Sequence, residues 1–373
     1  MKNRWTIKGV LFTLLIFGCS CFLTKSAVAA DTQSAPSMPF AIRRGTNISH
    51  WLSQSGRRGP QRREYFTKKD VQFLARLGFD HLRLPIDEEQ MWDESGNKHQ
   101  EAFDLLHNAI QWCQQSKLKV IVDLHILRSH HFNAKEKPLW TDPKEQEKFV
   151  DLWRDLSGEL KRYSITLVAY ELMNEAVADD PEDWNKLIAK AVSAIRKNEP
   201  QRKIVVGSNR WQSVNTFDQL RIPEGDRNII LSFHFYIPML ITHYQASWTG
   251  VGKYKGPVQY PGRLIDPKSI QDLSPDQAQI AKRSNGSYDR QRLEEYIRQP
   301  LSVAKRYNLP LYCGEWGAYE KCPREPRLNW YRDVHAVLEK NNIAWATWDY
   351  KGGFGLVARD KQPDKELIGI LMK

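Results

Sequence analysis

The sequence predicts an α/β protein folded as a single (β/α)8 barrel. Eight short apolar runs alternate with segments that read as helices over the length of one domain. Several of the runs end in polar residues, and barrel enzymes place their sites at that end of their strands. The alternative, a doubly wound open sheet, would favour a glycine-rich phosphate turn after the first strand, and the segment around Gly45 does not supply one. The strand count therefore favours the closed barrel.

The predicted strands, in chain order, cover residues 41–48, 81–85, 118–125, 167–173, 203–207, 229–236, 310–315 and 343–348. The predicted helices cover residues 67–77, 101–117, 143–163, 181–198, 215–220, 289–308 and 327–341. Thr67 stands three residues before Asp70, as in a capping box, and Gly78 stops the first helix. Pro181 falls in the first turn of its helix, where its missing N–H is not needed. The run at 167–173 is mostly apolar, as expected of a strand buried on both faces.

One predicted connection is far longer than the 2–6 residues usual between barrel elements, because residues 237–288 contain no clear helix or strand. It carries Tyr244, Trp248, Tyr254 and Tyr260 among glycines and prolines. Aromatic residues at this density favour an ordered loop over a binding face, in preference to a disordered insertion.

The N-terminus has the layout of a secretory signal peptide covering residues 1–30. Lys2, Arg4 and Lys8 precede an apolar run at 10–23, and small residues at 27–29 offer a cleavage position. A lipoprotein processing site that would lipidate Cys19 is the minor alternative. No later run approaches the roughly 18 apolar residues of a membrane span. We therefore expect a secreted or periplasmic protein, without a membrane span, whose residues 31–373 form the barrel.

Composition adds two exclusions. The signal peptide removes four positive charges, which lowers the formal net charge from +11 to +7, and the remaining basic residues are scattered among acidic ones. A solvated surface explains this pattern better than a nucleic-acid site does. Three cysteines remain, at 113, 313 and 322, an odd number without tight spacing, which argues against a disulfide framework or a zinc site. Cys113 and Cys313 fall in apolar patterns and are predicted core residues.

Polar and aromatic residues recur at the predicted C-terminal ends of the strands. They are Asn47, Arg83, His125, Asn174, Glu175, His234, Tyr236, Glu315 and Trp348. Any one of them could have a purely structural role. A set this large is better explained by a functional site, because the barrel must provide hydrogen-bond partners for every polar group that it buries. Two carboxylates at the tips of two strands suit glycoside hydrolysis, where one acts as acid and the other as nucleophile or base.

Six motifs in order along the chain resemble glycoside hydrolase family 5, the cellulase and mannanase family. They are GFDHLRLP (78–85), VIVDLH (120–125), YELMNEA (170–176), SFHFY (232–236), YCGEWG (312–317) and ATWDY (346–350). The resemblance covers essentially the whole chain after the signal peptide and implies a (β/α)8 barrel. Residues 126–131 depart from the usual cellulase continuation, and His130 and His131 have no family role that we can assign.

The resemblance implies that Glu175 is the acid/base and Glu315 the nucleophile. The nucleophile must stay ionised, and we expect Arg83 and the hydroxyl of Tyr236 to lower its pKa by charge and hydrogen bonding. The acid must hold its proton near neutral pH, so we expect Glu175 in a less solvated place beside the negative Glu315. Asn174 is expected to bind a sugar 2-hydroxyl.

The remaining candidates are expected to contact the sugar or to orient the carboxyl groups. His125 and His234 would do both, and Trp348 would offer an apolar face to a pyranose ring. Asn47 and Arg83 at the first two strand ends, Tyr236 at the sixth and Trp248 in the long loop complete the expected substrate contacts.

The function that follows is a secreted, retaining, endo-acting hydrolase of a β-linked glucan, first of all a β-1,4-endoglucanase. A β-mannanase and a β-1,3-glucan hydrolase remain alternatives because the motifs are shared among these activities. A barrel that only binds carbohydrate is the alternative from another class, and the two intact glutamates argue against it. We expect a monomer that acts on a β-glucan polysaccharide or oligosaccharide and needs no cofactor or metal, because two carboxylates suffice for the chemistry.

Overall fold

Eight parallel strands close into a barrel in the computed structural model, which describes residues 40–357 and 362–373. The barrel strands are β1 (Arg44–Asn47), β2 (His81–Asp87), β3 (Lys119–Ile126), β4 (Val168–Glu171), β5 (Ile204–Gly207), β6 (Ile229–Phe235), β9 (Leu311–Trp316) and β10 (Ala344–Thr347). Each pairs in parallel with its neighbour along the chain, and β10 pairs with β1 to close the ring. The predicted fold class is confirmed, and all eight predicted strands are present.

The helices lie outside the barrel, and those before α12 connect its strands. They are α1 (Gly59–Tyr65), α2 (Lys68–Leu77), α3 (Glu88–Met91), α4 (Gln100–Gln115), α5 (Pro143–Leu160), α6 (Pro181–Arg196), α7 (Asn209–Gln212), α8 (Met239–Thr242), α9 (Pro275–Ser284), α10 (Arg290–Tyr307), α11 (Arg324–Lys340) and α12 (Lys365–Leu371). Three short 3-10 turns cover Pro138–Trp140, Val214–Gln219 and Pro267–Asp272. The start of α2 confirms the predicted capping box between Thr67 and Asp70, and Gly78 ends that helix at a φ of 99°.

Two apolar layers hold the barrel. Inside it, a small buried cluster includes Ile121, Ala169, Val205 and Ile230, each from a different strand, with Phe40 packed against them. Outside it, the opposite faces of the strands pack on the helices in one large core. Because side chains alternate along a strand, β3, β4, β5, β6, β9 and β10 each contribute to both layers.

Residues 237–288 contain more regular structure than the sequence indicated. This connection holds α8, α9 and an antiparallel pair of two-residue strands, β7 (Gly262–Arg263) and β8 (Ser287–Tyr288). The prediction of a segment without helix or strand is therefore wrong. The helix α9 was not predicted because only its Ala281 is buried, so its sequence has no apolar periodicity. The two-residue strands are too short to produce a pattern.

The predicted signal peptide, with Cys19, lies outside the described residues. No helix among residues 40–357 and 362–373 is long and apolar enough to cross a membrane. Cys113, Cys313 and Cys322 are all buried and unpaired, which confirms the first two as core residues.

Candidate active site

A cleft of about 900 Å³ opens at the C-terminal ends of the barrel strands. Seven of the ten residues predicted from sequence line it: His125, Asn174, Glu175, Tyr236, Trp248, Glu315 and Trp348. A second cavity, of about 1100 Å³, adjoins the cleft at His50 and Gln54 but contains neither glutamate. The chemistry therefore belongs to the smaller cavity, where the carboxyl groups converge.

The two glutamates meet over His234. Its Nδ1 lies 2.9 Å from Oε1 of Glu175 and 3.5 Å from Oε2 of Glu315. One carboxylate oxygen of each glutamate and this nitrogen all lie within 4.8 Å of one another. The register between β6 and β9 shifts after Phe233, and this irregularity sets His234 beside Glu315. The same three groups are spaced as ligands of a cation would be, although Arg83 already provides a positive charge at Glu315.

Glu315, near the end of β9, receives two hydrogen bonds. Arg83 donates from Nη1 to Oε1 at 2.7 Å, and the hydroxyl of Tyr236 donates to Oε2 at 3.0 Å. Burial raises the pKa of Glu315 above its ordinary value, while the charge of Arg83 and the bond from Tyr236 act to lower it. The lowering that we expected from these two residues is therefore present, but burial outweighs it.

Glu175 lies beyond the end of β4, in a turn where its own φ is +46°. Burial raises the pKa of Glu175 well above its ordinary value, and the negative charge of Glu315 raises it further. Because Arg83 and Tyr236 contact Glu315 and not Glu175, the pair favours a proton on Glu175 and a charge on Glu315.

Arg83 is fully buried beneath the cleft, where it forms the floor of the site together with Asp123 and Glu171. It donates to Glu171 at 2.7 and 3.0 Å and lies 3.0 Å from Oδ2 of Asp123, besides its bond to Glu315. Burial alone would lower the pKa of Arg83, but the carboxylates of Asp123, Glu171 and Glu315 raise it well above its ordinary value. One guanidinium thus compensates three buried carboxyl groups. Its Nη2 also donates to Oδ1 of Asn174 at 3.0 Å.

His125 is fixed by its neighbours in one orientation. Its Nδ1 lies 2.6 Å from the carboxylate of Asp123, its Nε2 lies 3.1 Å from the amide of Gln54, and its ring stacks on Trp348 with centroids 5.6 Å apart. Burial lowers the pKa of His125 to about 4, with the charge of Arg83 adding to the effect. The neutral ring that results donates to Asp123 and accepts from Gln54.

Three predicted substrate contacts lie beneath the cleft and do not line it. Arg83 and Asn47 are fully buried, and the amide of Asn47 is spent on the backbone carbonyls of Gly314 and Thr347, at 2.9 and 3.1 Å. The imidazole of His234 is covered by the two glutamates above it. The three support residues that face the cleft, and their expected contact with sugar stays a prediction.

Sequence reasoning missed two acids of the site floor. Asp123 and Glu171 are register partners on β3 and β4, so they lie side by side in the barrel, against Arg83. Burial raises the pKa of Asp123 to about 7. The signal was available, because each is a lone acid within an otherwise apolar strand and must find a buried partner there.

His130 and His131, which had no assignable role, occupy different environments. His131 lines the cleft and stacks on Phe132, with ring centroids 4.7 Å apart. His130 is buried, and its Nε2 accepts a hydrogen bond from the backbone N–H of Val177 at 3.1 Å. Burial lowers the pKa of His130 to about 3, so it stays neutral and supports the turn that carries Glu175.

Comparison with known proteins gives a consistent result. The family model described as cellulase (glycosyl hydrolase family 5) matches residues 43–353. Endoglucanase C of Acetivibrio thermocellus is 30% identical over 89% of this chain and 98% of its own, and cellodextrinase A of Ruminococcus flavefaciens is 28% identical over 81% and 84%. Among solved structures, Thermotoga maritima Cel5A in complex with cellobiose is 25% identical over 88% of this chain and 97% of its own, with a TM-score of 0.72. The same protein has also been solved with mannotriose.

Proposed function

The chain belongs to glycosyl hydrolase family 5 and is a glycoside hydrolase, and from that premise we propose that it is a retaining, endo-acting β-1,4-glucanase. One observation carries the proposal. A carboxylate oxygen of Glu175 lies within 4.8 Å of one of Glu315, and of these two glutamates Glu315 is the one in contact with the guanidinium of Arg83. Retaining glycosidases hold their carboxyl groups about 5–5.5 Å apart, whereas inverting enzymes need roughly 6.5–9.5 Å to admit a water.

In the proposed first step, an oxygen of Glu315 attacks the anomeric carbon while the bond to the leaving oxygen breaks. Glu175 gives its proton to that oxygen, and a covalent glycosyl ester forms on Glu315. The ester carries no charge, so Glu175 loses the negative neighbour that helped to raise its pKa. Glu175 is then better suited to act as the base of the second step.

In the second step, Glu175 accepts a proton from a water molecule whose oxygen attacks the anomeric carbon. The ester bond breaks, and Glu315 regains its charge beside Arg83 and Tyr236. These two donors point at the oxygens where charge disappears and returns, so they assist departure of the carboxylate. Two inversions at one carbon give net retention.

The amide of Asn174 is oriented for a sugar hydroxyl. Its Oδ1 accepts from Arg83, which leaves Nδ2 as the group available in the cleft. An N–H donor at this position suits a 2-hydroxyl oxygen, whose hydrogen bonds strengthen in the transition state. Trp348, held by its stack on His125, would present its face to the same sugar ring.

The glucan assignment rests on the relatives, since Endoglucanase C of Acetivibrio thermocellus is 30% identical to this chain. A β-mannanase is the second candidate, because the structurally similar Thermotoga maritima Cel5A has been solved with mannotriose as well as with cellobiose. Secretion is part of the proposal and rests on residues 1–30 alone. Mass spectrometry of protein recovered outside the cytoplasm should find the N-terminus near residue 31, and an intact Met1 would contradict it.

The experiment that tests the assignment measures reducing-sugar release from carboxymethylcellulose, lichenan, laminarin, glucomannan and xylan. We expect release from carboxymethylcellulose and lichenan, with a fall in carboxymethylcellulose viscosity that precedes most of the release, as internal cleavage requires. Release from glucomannan without carboxymethylcellulose would favour the mannanase, and release from laminarin alone a β-1,3-glucan hydrolase. Binding without release from any substrate would favour the non-catalytic barrel.

A further inference from the structure

The turn that follows β5 has an unusual backbone. Arg210, Trp211 and Gln212 have φ values of 55°, 65° and 50°, so α7 is one left-handed turn. Residues with a Cβ disfavour this conformation, and three in succession without a glycine need compensation from the surrounding structure. The turn that carries Glu175 has the same feature, because Glu175 itself lies at a φ of 46°.

The two left-handed turns are hydrogen-bonded to each other. The N–H of Glu175 donates to Oε1 of Gln212 at 3.0 Å, and the N–H of Trp211 donates to the carbonyl of Ala176 at 3.2 Å. Further along, the amide of Asn209 bonds both the N–H and the carbonyl of Ala178, each at 2.9 Å. The conformation of one turn therefore constrains that of the other.

Gln212 is the link that reaches the proposed acid/base residue directly. It is fully buried, and its Nε2 lies 3.1 Å from Oγ of Ser232 and 3.3 Å from Oε1 of Glu171, both of which can accept from it. The space for this side chain exists because residue 207 is glycine: a Cβ there would lie 2.2 Å from Cγ of Gln212. Both ends of the amide are thus held, and the acceptor end faces the backbone of Glu175.

We propose that Gln212 is a positioning residue, which holds Glu175 in its left-handed conformation and thereby aims its carboxyl group at the leaving-group oxygen. This inference rests on the acid/base role proposed for Glu175. Without the acceptor on Gln212, the N–H of Glu175 would lose its hydrogen bond, and Glu175 would relax toward negative φ. A displacement of the carboxyl group by about 1 Å costs roughly 100-fold in rate.

The test compares Gln212→Met, which keeps the shape of the side chain and loses both hydrogen-bonding groups, with the parent enzyme on two substrates. On cellotetraose, whose leaving group needs a proton, we expect kcat/KM to fall about 100-fold. On 2,4-dinitrophenyl β-cellobioside, whose leaving group needs none, we expect less than about a threefold change in the first, bond-breaking step. The matched control is Gln219→Met, an exposed glutamine on the same connection between β5 and β6, which should leave both rates unchanged.

A second variant, Gln212→Glu, supplies a pH signature that a loss of packing would not give. When this glutamate is protonated, its carbonyl oxygen can accept from the N–H of Glu175 and its O–H can donate to Glu171. At acid pH the variant should therefore hydrolyse cellotetraose within about threefold of the parent rate. When ionised, this glutamate faces Oε1 of Glu171 on β4, an oxygen that also accepts a hydrogen bond from Arg83. Activity should therefore decline at a lower pH than in the parent enzyme.

Two results would overturn the inference: equal losses on both substrates in Gln212→Met, or no loss on either. If Gln212→Met does not fold, the pH profile of Gln212→Glu decides, and an unshifted profile would contradict the inference. Failure of the proposed function would look different. If the proposed function is wrong, Glu175→Ala loses equal activity on cellotetraose and on the aryl cellobioside. If only this inference is wrong, Glu175→Ala still loses more on cellotetraose, and Gln212→Met shows no such difference between the two substrates.

Discussion

A carboxylate oxygen of Glu175 lies within 4.8 Å of one of Glu315, and the two residues differ in what surrounds them. Glu315 accepts hydrogen bonds from Arg83 and Tyr236, whereas the carboxyl group of Glu175 contacts the neutral His234. The spacing supports the proposed retaining mechanism, and the asymmetry favours a charge on Glu315 and a proton on Glu175. Each prediction below depends on one of these two properties.

Glu315→Gln should abolish hydrolysis of cellotetraose, with kcat reduced by at least about 10⁴-fold, because an amide preserves the shape of the side chain but cannot form the glycosyl ester. Steady-state kinetics measure the loss, and thermal unfolding of the variant establishes that the barrel remains folded. The exposed Glu325→Gln on α11 serves as the matched control and should keep the parent rate. A folded Glu315→Gln with unchanged kcat would remove Glu315 from the nucleophile role.

Glu175→Ala should slow cellotetraose by about 10²–10⁴-fold, the usual contribution of a general acid, and slow the cleavage step of 2,4-dinitrophenyl β-cellobioside far less. Azide should accelerate turnover of the aryl substrate in this variant, since a small anion attacks the glycosyl ester without needing a base. The product would be the β-glycosyl azide. Equal losses on both substrates, without azide rescue, would exclude Glu175 as the acid/base.

The pKa of Glu175 should fall when Glu315 is replaced by Gln. Burial is the larger cause of the raised pKa and remains, but the negative neighbour is lost while the charge of Arg83 stays. Carbon-13 NMR titration of the glutamate carboxyl groups measures the shift. Glu89→Gln, in the same cleft, should leave the pKa of Glu175 in place because Glu89 is not among the charges that act on it.

The raised pKa of Glu175 also determines the pH profile of the parent enzyme. A raised pKa keeps Glu175 in its active, protonated form to higher pH than an ordinary glutamate, so kcat/KM should decline on the alkaline side as this proton is lost. On the acid side it should decline as Glu315 becomes protonated. A pKa of Glu175 that stays the same or rises in Glu315→Gln would contradict the coupling between the two residues.

Trp248→Ala should raise KM for carboxymethylcellulose about tenfold, equivalent to about 1.4 kcal/mol, and leave KM for a cellobioside nearly unchanged. Trp248 lines the cleft with 55% of its surface exposed and rests edge-on against Tyr319, so it can stack on a sugar remote from the bond that is cleaved. Met239→Ala is the control. Met239 is 45% exposed in the same connection but is not part of the cleft wall. An equal change in KM for both substrates, or no change for either, would mean that Trp248 makes no distant contact.

Periodicity in the sequence was sufficient to predict the barrel, because an apolar strand followed by an amphipathic helix leaves a pattern at every repeat. The positions of Glu175 and Glu315 followed from the strand ends. The supporting contacts could not be predicted in this way. Gln212 reaches Glu175 through a left-handed turn that no periodicity marks. Asn47 bonds backbone carbonyls of β10, which pairs with β1, and of β9, which is the next strand of the barrel. Such contacts depend on packing between distant segments.

The stereochemistry of the product tests the central claim most directly. Proton NMR can follow the first reducing ends released from cellotetraose before mutarotation mixes the anomers. A displacement through an ester on Glu315 inverts the anomeric carbon twice, so the account predicts that the β-anomer forms first. Initial formation of the α-anomer would mean that water attacks the substrate directly, and it would contradict the assignment of Glu315 as the nucleophile.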